Sequence, residues 1–172
     1  MNEFTLRLAN NNELQKLIAI DDDASELYAS VGLKLDLGRD HPFVVDEINR
    51  WSRAIEQRLS HVAVDKLDNP IGFAALGFLD GDPYLDQISV LQDYMQRGIG
   101  TLLLNCAIAW SGDRPLWLTT YSHLPWNRSY YEKQGFVAIN EQDCGPELCA
   151  VLQTQRAALP DPQQRIAMVR RI

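Results

Sequence analysis

Apolar and polar positions alternate along Phe4–Leu8, a period of two that predicts a first strand. Asn10–Asn12 offer capping side chains for a helix over residues 13–30, in which Leu14, Leu17, Ile18, Ile20 and Leu27 supply an apolar face. A looser segment with Gly32, Gly38 and Pro42 follows, and a second helix is predicted from about Val44 to Leu59. Three strand-like runs come next: His61–Asp65, Ile71–Leu79 and Tyr84–Val90. The stretches Leu67-Asp68-Asn69-Pro70 and Asp80-Gly81-Asp82-Pro83 separate them and suit antiparallel hairpins. From Gly98 to Trp110 the run GIGTLLLNCAIAW is too long for an ordinary strand and reads as a buried helix. Beyond it, Pro115–Thr120 reads as a strand, Trp126–Gln134 as a short helix and Gly135–Ile139 as another strand. A helix over Gly145–Ala158 is broken by Pro160 and Pro162, and Arg165–Ile172 closes the chain as a last strand. The order predicts a mixed α/β layer whose first half is largely antiparallel.

Composition narrows this picture. No repeat, low-complexity tract or linker interrupts the 172 residues, which suit a single domain spanning 1–172. A hydrophobic fraction of 46% is that of a folded globule. The net charge of −7 argues against a nucleic-acid partner, and would steer a cationic substrate or simply serve solubility. Cys106, Cys144 and Cys149 follow no paired spacing and read as free thiols of a reducing compartment, with Cys106 a small buried side chain. His41, His61 and His123 are far apart, so no metal site is expected. The polar N-terminus shows no signal peptide, and no apolar run approaches the roughly 20 residues of a membrane helix. A cytoplasmic location and no membrane partner are expected.

Chemistry concentrates where the strand ending Ile88-Ser89-Val90 runs into Gln96-Arg97-Gly98-Ile99-Gly100-Thr101 and a long apolar helix. Glycines permit close backbone approach, and the first N–H groups of a helix lack partners and carry partial positive charge. Strand, glycine turn and helix start together make a pyrophosphate cradle, to which Arg97 adds a charged donor. The alternative is a tight turn whose two glycines only relieve crowding. Leu103 stands where the dinucleotide fingerprint needs a third glycine, and the GxxxxGK[ST] phosphate loop is absent.

Val90 through Thr101 resembles the acyl-CoA motif of the GNAT acetyltransferases, a strand-end valine followed by a [QR]xxGxG/A loop. Asn127-Arg128-Ser129-Tyr130-Tyr131-Glu132-Lys133-Gln134-Gly135-Phe136 resembles the helix of that family that ends in YEKxGF. The run from Thr119-Thr120-Tyr121 to Pro125-Trp126-Asn127 is similar to a subgroup carrying TTF…PWN. The likeness covers nearly the whole chain and implies a mostly antiparallel sheet of about seven strands flanked by helices. One position departs: Met95 stands where the loop usually has Gln or Arg, which leaves phosphate contact to backbone N–H groups, with Gln96 and Arg97 as polar neighbours.

The resemblance implies an acetyl-CoA-dependent N-acetyltransferase acting on a primary amine by direct attack in a ternary complex. Ile88, Val90, Gln96, Arg97, Gly98, Ile99, Gly100, Thr101 and Asn127 would bind CoA. A strand N–H near Val90 would stabilise the oxyanion, and Asn127 would otherwise cap its helix. Tyr131 is implied as the acid for the departing thiolate, which a phenol of pKa about 10 suits. Asp86 and Gln87 precede the loop, and alternation puts them on opposite faces, so only one reaches the cleft. Of the two only Asp86 takes a proton; His123 is a second candidate base. Asp21, Asp22, Asp23 and Glu26 lie on the first helix, where the family binds its acceptor, and read as a cation-receiving or simply solvated face. Tyr28, Trp51 and Trp126 line a groove or fill the core. A small-molecule amine is the implied partner, and the family likeness implies a homodimer. Peptide acetylation and acyl-CoA binding without turnover are the other readings.

Overall fold

The computed structural model of the chain describes residues 3–35, 37–124 and 126–172. Seven strands run in chain order as β1 (Thr5–Leu8), β2 (Ser60–Val64), β3 (Pro70–Leu79), β4 (Asp82–Val90), β5 (Leu116–Tyr121), β6 (Phe136–Ile139) and β7 (Arg165–Arg170). Five helices accompany them: α1 (Leu14–Ala29), α2 (Pro42–Glu56), α3 (Ile99–Ser111), α4 (Arg128–Lys133) and α5 (Pro146–Ala158). The strands form one mixed sheet in the order β1-β2-β3-β4-β5-β7-β6. The chain divides into two compact units, Met1–Leu76 with Asp86–Trp110, and Gly77–Leu85 with Ser111–Ile172.

In the first unit β1, β2 and β3 are antiparallel, with Leu8 opposite His61 and Val62 opposite Phe73. Val62, Val64, Phe73 and Ala75 pack against Leu17, Ile18 and Ile20 of α1 and Trp51, Ala54 and Ile55 of α2. Trp51 meets Phe73 edge to face at 5.2 Å, a geometry that adds to their burial. Trp51 therefore fills the core. Gly72 lets α3 press on the sheet: a Cβ there would lie 3.1 Å from the Ser89 carbonyl oxygen and 3.3 Å from Ile99 and Leu103. The seat of α3 is thus set by a missing side chain.

In the second unit β5 pairs antiparallel with β7, β7 with β6, and β4 runs parallel to β5 at Tyr84 and Trp117. Tyr84 and Trp117 pack with Leu148 and Leu152 of α5 and with Ala167 and Val169. Asp80 and Gly81, with φ of 52° and 80°, make the two-residue turn between β3 and β4, as an Asp-Gly hairpin requires. The Asp80 carboxylate then accepts from Glu147 N at 2.9 Å and Leu148 N at 3.0 Å, capping α5.

The structure departs from the sequence reading in four places. Helix α1 takes no cap from Asn10–Asn12; Glu13 precedes it, with Arg7 bound to both carboxylate oxygens at 2.8 and 2.9 Å. The pair with Arg7 outweighs a local cap, and its hydrogen bonds hold the Glu13 carboxyl below its ordinary range. Cys106 is half-buried, because Leu103, Leu104 and Ala107 occupy the inward face of α3. Asp86 and Gln87 both reach the helical layer, Asp86 through Arg50 of α2 and Gln87 through Asp21 of α1. Short 3-10 turns at Gln92–Tyr94, Glu141–Asp143 and Pro162–Gln164 were not foreseen.

Candidate functional site

Strand β4 leaves the first unit's sheet at Val90, and the Leu91 N–H bonds Ile71 O at 2.9 Å, fixing where the loop begins. The loop reverses through two left-handed residues, Gln96 at φ 63° and Gly98 at φ 85°. Such turns direct successive N–H groups into one concavity. Leu102 N bonds Gly98 O, so the N–H groups of Ile99 and Gly100, at the start of α3, have no acceptor within the helix. Ile99 buries its side chain and offers only backbone to the concavity.

The two glycines do not relieve protein crowding. A Cβ on Gly98 would meet nothing within 4 Å, and one on Gly100 only Val90 Cγ2 at 4.0 Å. Gly98 is required by its positive φ. No neighbouring protein atom accounts for Gly100: the space over the helix start is kept clear of side chain. Arg97 lies beside it, exposed, with its guanidinium over the Tyr94 ring at 5.2 Å. Gln96 is exposed, and Thr101, Ile88 and Val90 are half-buried.

Helix α1 runs alongside this loop, and its acids are individually engaged. Asp21 Oδ1 accepts from Gln87 Nε2 at 2.7 Å and from Ser89 Oγ at 2.9 Å. Ser89 Oγ also receives Gln87 Nε2 at 3.1 Å. Burial pushes the Asp21 carboxyl up to about 6, against the hydrogen bonds of Ser89 and Gln87. Asp22 adds repulsion and Arg39 attraction. Asp22 itself pairs with Arg39. Asp23 Oδ2 accepts from Gln92 N at 2.7 Å, at the head of the turn after β4, and Gln92 Nε2 approaches Glu26 at 3.4 Å. The contacts of Asp21 and Asp23 escaped the sequence reading because each joins residues more than sixty apart.

Asp86 is bound by Arg50 through Nε to Oδ2 at 2.8 Å and Nη2 to Oδ1 at 3.2 Å. Arg50 also pairs with Asp46, one turn back on α2. Burial works against the Arg50 charge, and the attraction of Asp86 and its hydrogen bonds outweigh it, so the guanidinium stays charged.

In the second unit, Tyr131 of α4 is buried, edge to face with Tyr130 at 5.3 Å and Phe136 at 5.7 Å. Asn127 precedes α4, buried, and its side chain makes no capping bond; its carbonyl receives Tyr131 N at 3.0 Å. His123 Nε2 lies 3.3 Å from Asp161 Oδ2. A cavity of about 200 Å³ is lined by Asp80, Asp82, Trp117 and Leu148; Asp80 caps α5, and Asp82 accepts from the Trp117 indole at 3.2 Å. Among the described residues no three His, Cys, Asp or Glu side chains are placed to hold a metal ion. None of the described helices is long and apolar enough to cross a membrane.

Residues 19–136 match the model of the acetyltransferase (GNAT) family. The chain belongs to the GNAT acetyltransferase family. Solved structures agree on the fold. PaiA N-acetyltransferase from Thermoplasma acidophilum, in complex with coenzyme A, superposes with a TM-score of 0.69 at 16% identity, over 100% of both chains. An acetyltransferase from Streptococcus agalactiae 2603 gives 0.70 at 17% identity, again over 100% of each. N-acetylglutamate synthase from Neisseria gonorrhoeae, with coenzyme A and N-acetyl-glutamate, gives 0.68 at 15% identity over 99% of this chain and 35% of that one. The seven-stranded mixed sheet with its flanking helices is thus the GNAT fold.

Proposed function

We propose that the chain transfers an acetyl group from acetyl-CoA to the primary amine of a small molecule, by direct attack within a ternary complex. One observation carries the reading: the glycine turn presents the N–H groups of Ile99 and Gly100 without acceptors in the helix, and among the described residues none but Val90 comes near a Cβ at Gly100. A pyrophosphate suits that concavity by charge, hydrogen bonding and room. Gln96 through Thr101 would hold it through backbone N–H groups, and the exposed guanidinium of Arg97 would reach a phosphate. The coenzyme A reported with the PaiA enzyme and with N-acetylglutamate synthase supports the same assignment.

When bound, acetyl-CoA supplies an activated acyl carbon. The protein contributes the rest. Ile88 and Val90 flank the strand edge on which the thioester would lie, and the Val90 N–H is proposed to stabilise the oxyanion. On the strength of its motif, Tyr131 is assigned the proton for the departing thiolate, and Asn127 a contact to the CoA arm. Asp86, the carboxylate that the sequence nominates for the amine proton, has both oxygens occupied by Arg50 and could take that proton only through water.

Thermal denaturation with and without acetyl-CoA, beside NAD and ATP, tests the reading. Ligand at ~100 times its dissociation constant adds about 2.7 kcal/mol, a shift of several degrees. A shift with acetyl-CoA alone is expected. None at saturation would make the glycine turn purely structural and end the proposal.

A further inference from the structure

A second carboxylate stands closer to the end of β4 than Asp86 does. Asp21 is fixed by two donors on alternate residues of that strand, Gln87 and Ser89, and Ser89 immediately precedes Val90. Both donors converge on Oδ1, and among the described residues none donates to Oδ2. Asp21 as a whole is half-buried. Neither donor is charged. Asp86, in contrast, is gripped through both oxygens by a guanidinium.

We infer that Asp21, through Oδ2, is the catalytic base that takes the proton of the acceptor amine, with Gln87 and Ser89 as its positioning residues. The inference rests on the acetyltransferase reading above. An ammonium arriving at Asp21 passes one N–H proton to Oδ2, which leaves a neutral amine and a protonated carboxyl. The nitrogen lone pair forms the N–C bond to the thioester carbonyl carbon. The C–S bond breaks with its electron pair on sulfur. A second N–H proton replaces the one that the sulfur receives, and Asp21 later returns its own proton to water. Ammonium and thioester become amide, thiol and one released proton. The same carboxylate favours a protonated primary amine over a neutral or anionic acceptor while Asp21 is ionised.

The groups around Asp21 suit a base that works near neutrality. Burial lifts its pKa to about 6, and Asp22 raises it further. Arg39 opposes this but is paired with Asp22. Asp23 is committed to the Gln92 N–H, and Arg50 of α2 to Asp46 and Asp86. The contacts from β4 are neutral. An Asp21 carboxyl titrating there is mostly ionised at neutral pH, and still basic enough to accept a proton in the transition state.

The test compares wild type, Asp21→Asn and Asp21→Glu for acetyl-CoA affinity by calorimetry and for transfer to propylamine, benzylamine and glycine across pH. Wild-type kcat/KM for its best acceptor should rise through about pH 6. Asp21→Asn should lose about 10²–10⁴-fold in turnover together with that rising limb, at unchanged acetyl-CoA affinity. Asp21→Glu should recover part of the rate with a displaced limb. An Asp21→Asn enzyme that keeps the wild-type limb overturns the assignment, as does a variant whose acetyl-CoA affinity falls with its rate, since the residue is then structural. Wild type that binds no acetyl-CoA refutes instead the acetyltransferase reading on which the inference stands.

Discussion

Replacing Asp21 by asparagine should stabilise the protein at neutral pH. The carboxyl titrates near 6 in the fold against 3.8 in a free chain. The folded state therefore binds this proton more tightly than the unfolded state does. The stability that protonation confers is fully present below about pH 4, declines as pH rises, and is gone above about pH 6. Two pH units at about 1.36 kcal/mol each set a ceiling of about 3 kcal/mol. Because Asp21 as a whole is only half-buried, solvent screening reduces the realised figure to about 1–2 kcal/mol. Asparagine keeps an acceptor for Gln87 and Ser89 and carries no charge, so it behaves as a permanent mimic of the protonated acid. For a chain of 172 residues, Asp21→Asn should melt several degrees above wild type at about pH 8 and close to it at about pH 4. Melting curves of both proteins across that range measure it. A variant that is less stable than wild type by the same amount at every pH would refute the argument, because the ionised carboxylate would then be a net stabiliser.

Three further outcomes follow from single side chains. Gly100→Ala should raise helix stability by about 0.5–1 kcal/mol, since its Cβ meets only Val90 at 4.0 Å, while weakening acetyl-CoA binding; Gly100→Asp should abolish that binding in calorimetry. Tyr131→Phe should keep acetyl-CoA affinity and lose about 10²–10⁴-fold in turnover, and unchanged turnover would remove Tyr131 from the mechanism. Asp80→Ala should cost about 1–2 kcal/mol in denaturant unfolding through loss of the α5 cap, with no change in acetyl-CoA affinity.

The elements legible in the sequence are those set by periodicity. The alternation at Phe4–Leu8 and the unbroken apolar run after Gly98 became β1 and α3 within a residue or two of the expected ends. The GNAT motifs lie on the predicted strand-loop-helix and on α4. What escaped was tertiary pairing of polar residues. Asp80 reads as a hairpin residue, and nothing local announces that it caps a helix beginning 66 residues later, at Pro146. The asparagines before α1 read as caps, and only the fold shows that Arg7 draws Glu13 into that place. The acids of α1 read as one charged face, yet Asp21, Asp22 and Asp23 are each held by different partners, on three different segments.

Those partners decide what each acid can do. Asp23 spends its oxygen on a backbone N–H and holds the turn that leads to the glycines. Asp86 meets a guanidinium, and that pair braces α2 against β4. Asp21 meets an amide and a hydroxyl, which orient an anion without neutralising it. A position under selection for stability alone would hold Asn there, since the same two donors would be satisfied and no charge would be buried. A charge retained at such a cost, bound to Ser89 one residue before the strand end where an oxyanion is proposed to form, is the pattern of a group kept for its proton affinity. Asp21→Asn has to gain stability at neutral pH and lose rate, whereas an aspartate kept for its hydrogen bonds alone would lose stability when replaced.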